Sequence, residues 1–219
     1  MDSAPEEYKK GYADFLGCKI GLSRQVLIPR PETEFWTRQA IGGLKKIKRP
    51  LRILDIFSGS GCVGIAVAKR LPQAVVDFGE IDPEAVKQIK INLNTNGIEK
   101  GRAEIFQSDI FKDIPAENRY DAILANPPYV DPARAGEVQR SVLDYEPHGA
   151  LFGGERGTDI IDKFLKDVKD YLKPEGIVYL EFDPRQLPEI KKILTRERFS
   201  SFGFFKDQFG LWRFVRAIK

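Results

Sequence analysis

Short β-rich segments alternate with segments of helical periodicity from Arg52 to the end of the chain. This alternation is typical of a parallel sheet whose strands are connected by crossover helices. The sequence predicts parallel strands at residues 52–57, 75–80, 103–107, 120–125 and 177–182, followed by an antiparallel pair at residues 202–206 and 211–218. We therefore expect an α/β protein with a seven-stranded, mostly parallel sheet and helices on both faces.

The segments between these strands carry start and stop signals for helices. Helices are predicted at residues 61–70, 83–96, 158–172 and 187–194, with Gly97 as the C-cap of the second and residues 173–176 ending the third. Pro31 is suited to the first turn of a further helix. Residues 12–30 predict a small β-hairpin before the sheet, and residues 130–157 indicate a long irregular loop. Long loops in compact domains are usually functional.

The last two predicted strands are rich in aromatic residues. Aromatic side chains that alternate in terminal strands usually belong to the core, although they could also form a surface on which bases stack. We interpret these residues as core: Phe202, Phe204, Phe205, Phe209, Trp212 and Phe214.

Composition favours one soluble domain with no metal or disulfide framework. The 219 residues, 42% hydrophobic and 31% charged, fit a main domain at residues 31–219 preceded by an extension and hairpin at residues 1–30. A net charge of +3 is too small to indicate a nucleic-acid-binding protein. Two cysteines and the single histidine, His148, make a zinc site or a paired-histidine site improbable. Because the sequence has neither a secretory signal nor an 18-residue apolar stretch, we expect a cytoplasmic protein, without a membrane partner and monomeric.

A glycine-rich loop follows the first predicted parallel strand. Residues 59–64 read Gly-Ser-Gly-Cys-Val-Gly, and Glu80 lies about 20 residues further on, as in the dinucleotide-binding fingerprint. This pattern indicates a cofactor that contains adenosine, because glycines allow close backbone approach and the acid can accept hydrogen bonds from ribose hydroxyls. Asp55 before the loop and Asp109 after the third strand fit the same ligand, and no residues suited to a nicotinamide ring are recognisable.

The tetrapeptide Asn126-Pro127-Pro128-Tyr129 follows the predicted strand 120–125. Prolines have no N–H and favour extended geometry in the residue before them, so the Asn126 side chain and the Pro127 carbonyl can be held as two acceptors. Two fixed acceptors suit a planar NH2 group, against which the Tyr129 ring can pack. Taken alone, the motif leaves an adenine and a glutamine amide equally open as the substrate, and a simple turn that ends a strand is the alternative without function.

S-adenosylmethionine fits both the loop and the tetrapeptide. Its methyl group is carried by a sulfonium and is already activated, so the protein needs acceptors that position the nucleophile rather than an acid, a base or a metal. Holding the reacting groups in line can provide effective molarities of the order of 10⁵ M or more. The sequence therefore predicts a methyltransferase with S-adenosylmethionine as the methyl donor and S-adenosylhomocysteine as the product.

Several motifs together make the chain resemble the bacterial peptide chain release factor glutamine N5-methyltransferases, which have the Rossmann-like class I methyltransferase fold. The resemblance covers most of the chain and depends on these segments: residues 28–34 (Ile-Pro-Arg-Pro-Glu-Thr-Glu), 55–61, 80–85, 108–111, 126–129, 146–147, 150–154, 180–181 and 206–207, with Gly210 and Arg213. The Pro-Arg-Pro-Glu-Thr-Glu string is specific to this family, whereas Asn-Pro-Pro-Tyr also occurs in adenine N6-methyltransferases.

The resemblance implies a role for each matching position. The implied catalytic residues are Asn126, Pro127 and Tyr129. The implied cofactor-binding residues are Asp55, Phe57, Ser58, Gly59, Ser60, Gly61, Glu80, Ile81, Asp109, Ile110 and Asn126. The implied substrate-binding residues are Asn126, Pro127, Pro128, Tyr129 and Glu32, with no metal ligand. The implied reaction is N5-methylation of the glutamine in the Gly-Gly-Gln loop of release factors, during translation termination, and nucleic acid is not expected as a partner.

The chain departs from the family pattern at two places. Phe57 stands where the family usually has the first glycine of the loop motif, and we expect it to keep β geometry with its side chain turned away. About 12 residues precede the predicted hairpin, where the family usually has an N-terminal helical domain that grips the protein substrate, so we expect that domain to be absent. An adenine N6-methyltransferase of DNA or RNA and a ribosomal-protein glutamine methyltransferase are the alternative functions. A protein that binds the cofactor without turnover is a third.

Overall fold

The computed structural model describes residues 4–24 and 26–219. Residues 1–3 of the predicted N-terminal extension, and Gln25 at the end of the predicted hairpin region, lie outside the described residues. A seven-stranded sheet has the order β5-β4-β3-β6-β7-β9-β8. The strands are β3 (Arg52–Ile56), β4 (Val75–Glu80), β5 (Ile105–Gln107), β6 (Tyr120–Ala125), β7 (Leu172–Glu181), β8 (Ser201–Lys206) and β9 (Trp212–Ile218). All neighbours are parallel except β9, which is antiparallel to both β7 and β8. This confirms the predicted fold class.

Side chains of a strand point alternately to the two faces of the sheet, so each central strand contributes to a hydrophobic cluster on either face. Ile53 of β3 lies in one hydrophobic cluster, and its neighbour Leu54 lies in the other. The first cluster packs beneath α2 (Pro31–Leu44), α3 (Cys62–Arg70) and α4 (Pro83–Thr95); the second packs beneath α6 (Asp159–Asp167) and α7 (Leu187–Arg196). The central strands are therefore buried on both sides, as expected for a parallel sheet.

The N-terminal segment is attached to the sheet domain by hydrogen bonds. A short helix α1 (Glu6–Lys10), which the sequence did not predict, precedes the antiparallel hairpin of β1 (Tyr12–Phe15) and β2 (Cys18–Gly21). Asn92 of α4 accepts from the Gly21 N–H at 2.8 Å and donates to the Ser60 carbonyl at 2.8 Å. Through this one side chain, the hairpin supports the glycine-rich loop.

Two helices begin as the sequence predicts. Pro31 and Pro83 each occupy the first turn of a helix, where their missing N–H would have no partner in any case. At the start of α4, the carboxylate of Asp82 also accepts a hydrogen bond from the Glu84 N–H at 2.8 Å. This cap holds the segment that directly follows β4.

Three predictions of local structure need correction. The helix expected at residues 158–172 ends at Asp167 and continues as a 3-10 turn, Val168–Tyr171. Residues 173–176, expected to stop a helix, lie within β7 instead. The pairing register with β6 shifts there because the extra residues bulge out of the ladder. The loop at residues 130–157 is not wholly irregular, since it contains α5 (Arg140–Tyr145) and the 3-10 turns Pro132–Glu137 and His148–Ala150.

The interpretation of the C-terminal aromatic residues as core is only partly correct. Phe214 is buried, and Phe202 and Phe204 are half-buried against the second cluster. In contrast, the solvent-exposed aromatic side chains are those of Phe205, Phe209 and Trp212. Phe205 lies on β8, the edge strand of the sheet, Phe209 lies in the turn between β8 and β9, and Trp212 begins β9 directly after that turn. None of the helices in residues 4–24 and 26–219 is long and apolar enough to cross a membrane.

Candidate active site

A cavity of about 580 Å³ opens at the carboxyl ends of the parallel strands. It lies where the strand order reverses, between β3 and β6, which is the usual ligand site of open α/β sheets. Its lining includes Phe57, Gly59, Glu80, Ile81, Asp109, Ile110, Asn126 and Pro128, all singled out in the sequence. A small chamber of about 30 Å³ adjoins it and is lined in part by Thr33, Asp55, Ser58, Ser60 and Asn126. Asn126 is therefore common to both cavities.

Each glycine of the loop has a separate structural reason. Gly59 has φ 53° and Gly61 has φ 79°, backbone conformations that side-chain-bearing residues rarely adopt. A Cβ on Gly64 would lie 2.4 Å from Cε1 of the Phe78 ring, so glycine at this position allows α3 to pack closely on β4. The first two glycines shape the loop, and the third seats the helix that follows it.

Asp55 holds the loop from beneath. Its Oδ2 accepts a hydrogen bond from the Gly64 N–H at 2.8 Å, at the start of α3. Burial raises the pKa of this carboxyl well above its ordinary value, although the hydrogen bond from Gly64 opposes the effect. Asp55 is thus a buried support of the loop that also borders the small chamber.

Glu80 ends β4 with its carboxylate fixed between two backbone donors. Oε2 accepts from the Gly59 N–H at 2.7 Å, and Oε1 accepts from the Asp82 N–H at 2.9 Å. Burial raises the pKa of Glu80, opposed by these backbone hydrogen bonds. Carboxylate oxygens have further lone pairs, so Glu80 can still accept from hydroxyl groups of a ligand in the larger cavity.

Phe57 does not keep the expected β geometry. Its φ is 58°, in the left-handed region, because the chain turns sharply after Ile56 as it enters the loop. The ring packs edge-on against Phe164, with 5.7 Å between centroids, and so forms part of the cavity wall. Ile110, beside the same cavity, is also left-handed with φ 53°. Strained residues of this kind cluster at ligand sites.

The strain at Phe57 predicts an order of stability between two variants. Phe57→Gly and Phe57→Ala both lose the contact with Phe164, but only glycine adopts a positive φ without steric cost. We expect the free energy of unfolding in urea to be larger by about 1 kcal/mol for the glycine variant. At Phe106 in β5, where φ is not positive, the alanine variant should be the more stable of the pair. Equal stability of the two Phe57 variants would contradict a strained backbone.

Asn126 and Tyr129 are both linked to the buried carboxylate of Glu181, Asn126 through Thr33 and Tyr129 directly. The Asn126 Nδ2 donates to Thr33 Oγ1 at 3.4 Å, and the Thr33 hydroxyl donates to Glu181 Oε2 at 2.7 Å. The Tyr129 hydroxyl donates to Glu181 Oε1 at 3.1 Å. Trp36 Nε1 is a further donor to Glu181, at 2.5 Å. Burial raises the pKa of Tyr129, and the nearby carboxylate adds to this effect, so the phenol remains protonated.

The backbone around the tetrapeptide is held by a second segment. Val130 donates to the Leu151 carbonyl at 2.8 Å, and Gly153 donates back to the Val130 carbonyl at 3.0 Å. A Cβ on Gly153 would lie 2.7 Å from the Pro128 carbonyl oxygen, so only glycine permits this approach. Pro127 itself is buried and lines neither cavity, and none of the hydrogen bonds within residues 4–24 and 26–219 uses its carbonyl.

An ion pair joins the two segments that border the site entrance. Arg30 Nη2 lies 2.5 Å from Glu146 Oε1, and the Ile28 N–H donates to Glu146 Oε2 at 3.3 Å. Glu146 is buried, so this pair fixes the Pro-Arg-Pro segment to the long loop at residues 130–157. Both motifs were recognised in the sequence, but their pairing was not predicted.

Not all predicted site residues line the two cavities. Gly61 lines neither cavity but shapes the glycine-rich loop. Tyr129 also lines neither, and its hydroxyl contacts Glu181. Glu32, predicted to contact the substrate, is half-buried and also lines neither cavity, so its role stays a prediction. Sequence reasoning missed Thr33, Trp36 and the role of Glu181. The only available signal was their presence in or near motifs that were recognised for other reasons.

Comparisons with known proteins place the chain in a family of methyltransferases. Residues 42–144 match the family model of the methyltransferase small domain. The chain is 38% identical to a release factor glutamine methyltransferase of Koribacter versatilis, over 81% of this chain and 62% of that protein. It is 37% identical to one of Streptococcus pneumoniae, over 96% of this chain and 74% of that protein. The chain therefore spans roughly two thirds to three quarters of the length of these relatives.

Solved structures share the fold at lower identity. A 16S rRNA methyltransferase of Thermus thermophilus, in complex with AdoMet and guanosine, has a TM-score of 0.66 at 21% identity, covering 95% of this chain and 49% of that chain. A methyltransferase from Pyrococcus furiosus has a TM-score of 0.65 at 22% identity, covering 92% and 88% respectively. Fold and site together define a class I methyltransferase. Within that class, the chain belongs to the release factor glutamine methyltransferase family, as its identity to the curated relatives establishes.

Proposed function

We propose that this protein transfers a methyl group from S-adenosylmethionine to the side-chain nitrogen of the glutamine in the Gly-Gly-Gln loop of peptide chain release factors. The relatives named above as release factor glutamine methyltransferases support this substrate. The single structural observation that carries the proposal is that Asn126 borders both the larger cavity and the small chamber. An acceptor at that junction is suited to hold a substrate NH2 beside the methyl group of a donor in the cavity.

The residues around the larger cavity fit the parts of S-adenosylmethionine. A volume of about 580 Å³ is within the usual range for small-molecule sites. Glu80 would accept from the ribose hydroxyls, Ile81, Asp109 and Ile110 would surround the adenine, and the loop from Phe57 would approach the methionine portion. When bound, the cofactor supplies a methyl group that is already electrophilic.

The protein's own part in the reaction is to orient a weak nucleophile. An amide nitrogen is poorly nucleophilic because its lone pair is delocalised into the carbonyl. Acceptance of its two hydrogens by Asn126 Oδ1 and the Pro127 carbonyl would turn the nitrogen towards the methyl group and partly localise the lone pair. Tyr129 would pack against the glutamine side chain. Its pKa is raised by burial, which fits a positioning role and not that of a base.

Methyl transfer to a release factor tests this function directly. The protein should transfer labelled methyl groups from S-adenosylmethionine to a purified release factor, and mass spectrometry should locate the label on the Gly-Gly-Gln glutamine. A release factor with Gln→Ala at that position is the matched control and should remain unlabelled. A DNA or RNA oligonucleotide containing adenine, tested beside it, should also remain unlabelled. Label on the Gln→Ala protein, or on adenine alone, would overturn the proposed substrate.

A further inference from the structure

Glu181 is an acceptor that three side chains from two separate segments share. It ends β7 and is 1% exposed, and its two oxygens receive hydrogen bonds from Thr33 and Trp36 of α2 and from Tyr129 after β6. The Trp36 N–H can only donate, so Oε2 is an acceptor, and the Thr33 hydroxyl that shares this oxygen donates to it. The direction of the Thr33 bond is therefore set by Glu181 together with Trp36.

The direction of these bonds continues to the catalytic amide. Because the Thr33 hydroxyl uses its only hydrogen on Glu181, its oxygen can only accept from Asn126, and the Asn126 atom that faces it must be the NH2. We propose that Glu181, acting through Thr33, locks the Asn126 amide with Oδ1 directed to the substrate, so that Glu181 and Thr33 are positioning residues of the reaction. This inference rests on the proposed function, because it assumes an NH2 group as the substrate.

The locked orientation matters because an asparagine amide is nearly symmetrical in shape. Rotated by half a turn, it would present its own NH2 to the substrate NH2, and two donors would face each other. A threonine hydroxyl that was free to donate to Asn126 would favour this wrong orientation. The Glu181 carboxylate removes that possibility without touching the substrate.

The Thr33–Asn126 relay depends on Oε2 of Glu181 as an acceptor, and the groups around this carboxyl act on its pKa in opposite directions. The titratable groups that face it are Tyr129, Cys62 of α3 and Arg213 of β9, and Arg213 is itself paired with Asp207 at 3.0 Å. Burial raises the pKa of Glu181, while the hydrogen bonds from Trp36 and Thr33 and the charge of Arg213 lower it. When the carboxyl gains a proton at acid pH, the Trp36 N–H still requires an acceptor at Oε2, so the proton lies on Oε1 beside Tyr129 and Oε2 continues to accept from Thr33.

Two variants of Thr33 test the relay. Thr33→Val keeps the shape but removes the hydroxyl, and it should lower kcat about tenfold at saturating S-adenosylmethionine. Thr33→Ser keeps the hydroxyl and should restore kcat to within about threefold of the wild type. The Kd of S-adenosylmethionine and the Tm should stay close to wild type in both. A Thr33→Val enzyme with wild-type kcat would overturn the proposal, and so would equal losses in the valine and serine variants.

Glu181→Gln tests whether the relay depends on the acceptor at Oε2 and not on the charge of Glu181. The Trp36 N–H still needs an acceptor, so the glutamine oxygen takes the Oε2 position and continues to receive the Thr33 hydroxyl. Tyr129 alone loses its acceptor. We expect kcat at neutral pH to fall less than about tenfold. The Thr33 relay is intact in this variant, so its kcat should stay above that of Thr33→Val. A kcat as low as that of Thr33→Val would contradict the assignment.

These experiments separate the inference from the proposed function. If the wild-type protein does not methylate a release factor, the proposed function fails before any variant is compared. If the wild type is active and Thr33→Val is equally active, only the positioning role of Glu181 and Thr33 fails.

Discussion

Asn126→Ala is expected to lower kcat for release factor methylation by about 10²–10³-fold, which is the usual cost of removing one preorganised polar group at a reacting centre. The substrate amide would lose the acceptor that orients its NH2. The Kd of S-adenosylmethionine should change by less than about threefold, because the proposed main cofactor contacts are those of Glu80 and the glycine-rich loop. Single-turnover methyl transfer and equilibrium binding measure the two quantities separately.

Asn94→Ala is the matched control for this variant. Asn94 lies on the exposed side of α4 and lines neither cavity, so its replacement by alanine removes the same side chain away from the proposed site. This control should keep wild-type kcat and Kd. An Asn126→Ala enzyme that retained more than about a third of wild-type kcat would show that the amide is not part of the reaction.

Glu80→Gln is expected to weaken S-adenosylmethionine binding by about 10–100-fold, equivalent to the loss of hydrogen bonds to a charged group. Both carboxylate oxygens already accept from backbone N–H groups, of Gly59 and Asp82. A glutamine must turn its NH2 towards one of these donors, so the variant loses a support of the loop as well as an acceptor for ribose. Isothermal titration calorimetry measures the change in Kd.

The same carboxylate predicts a pH dependence of cofactor binding. Burial raises the pKa of Glu80, so its ionised form is lost at a higher pH than for an ordinary glutamate. Affinity for S-adenosylmethionine should therefore fall as the pH is lowered through that raised pKa, and the fall should be absent from Glu80→Gln. Glu104→Gln, on the exposed side of the sheet edge, is the control and should bind as the wild type does. Identical pH curves for Glu80→Gln and the wild type would rule out Glu80 as the titrating group.

Features encoded in short stretches of sequence were predicted correctly. The alternation of strands and helices predicted the sheet, because apolar residues are spaced differently in strands and in helices. Gly59 and Asn126 follow buried strands and Glu80 ends one, and the ends of parallel strands meet at one edge, so their convergence could be predicted. The exposure of Phe205 could not, because it depends on which strand forms the edge of the sheet.

Features that depend on distant contacts escaped prediction. The bonds from Thr33 and Trp36 to Glu181 span 148 and 145 residues, and nothing in the local sequence around either end indicates the other. The left-handed backbone of Phe57 escaped for a different reason. Phenylalanine rarely adopts this conformation, so only the glycine expected at that position by family resemblance pointed to it.

The two acceptors proposed for the substrate amide, Asn126 and the Pro127 carbonyl, also bear on how many methyl groups one glutamine receives. A glutamine amide that has gained a methyl group keeps a single N–H, so one of the acceptors would be left without a donor. A buried acceptor without its hydrogen bond costs about 1–3 kcal/mol, and the added methyl group would occupy the space where the next one must arrive. The monomethylated glutamine should therefore leave the site instead of reacting again, and intact-mass analysis after prolonged incubation should find one methyl group per release factor.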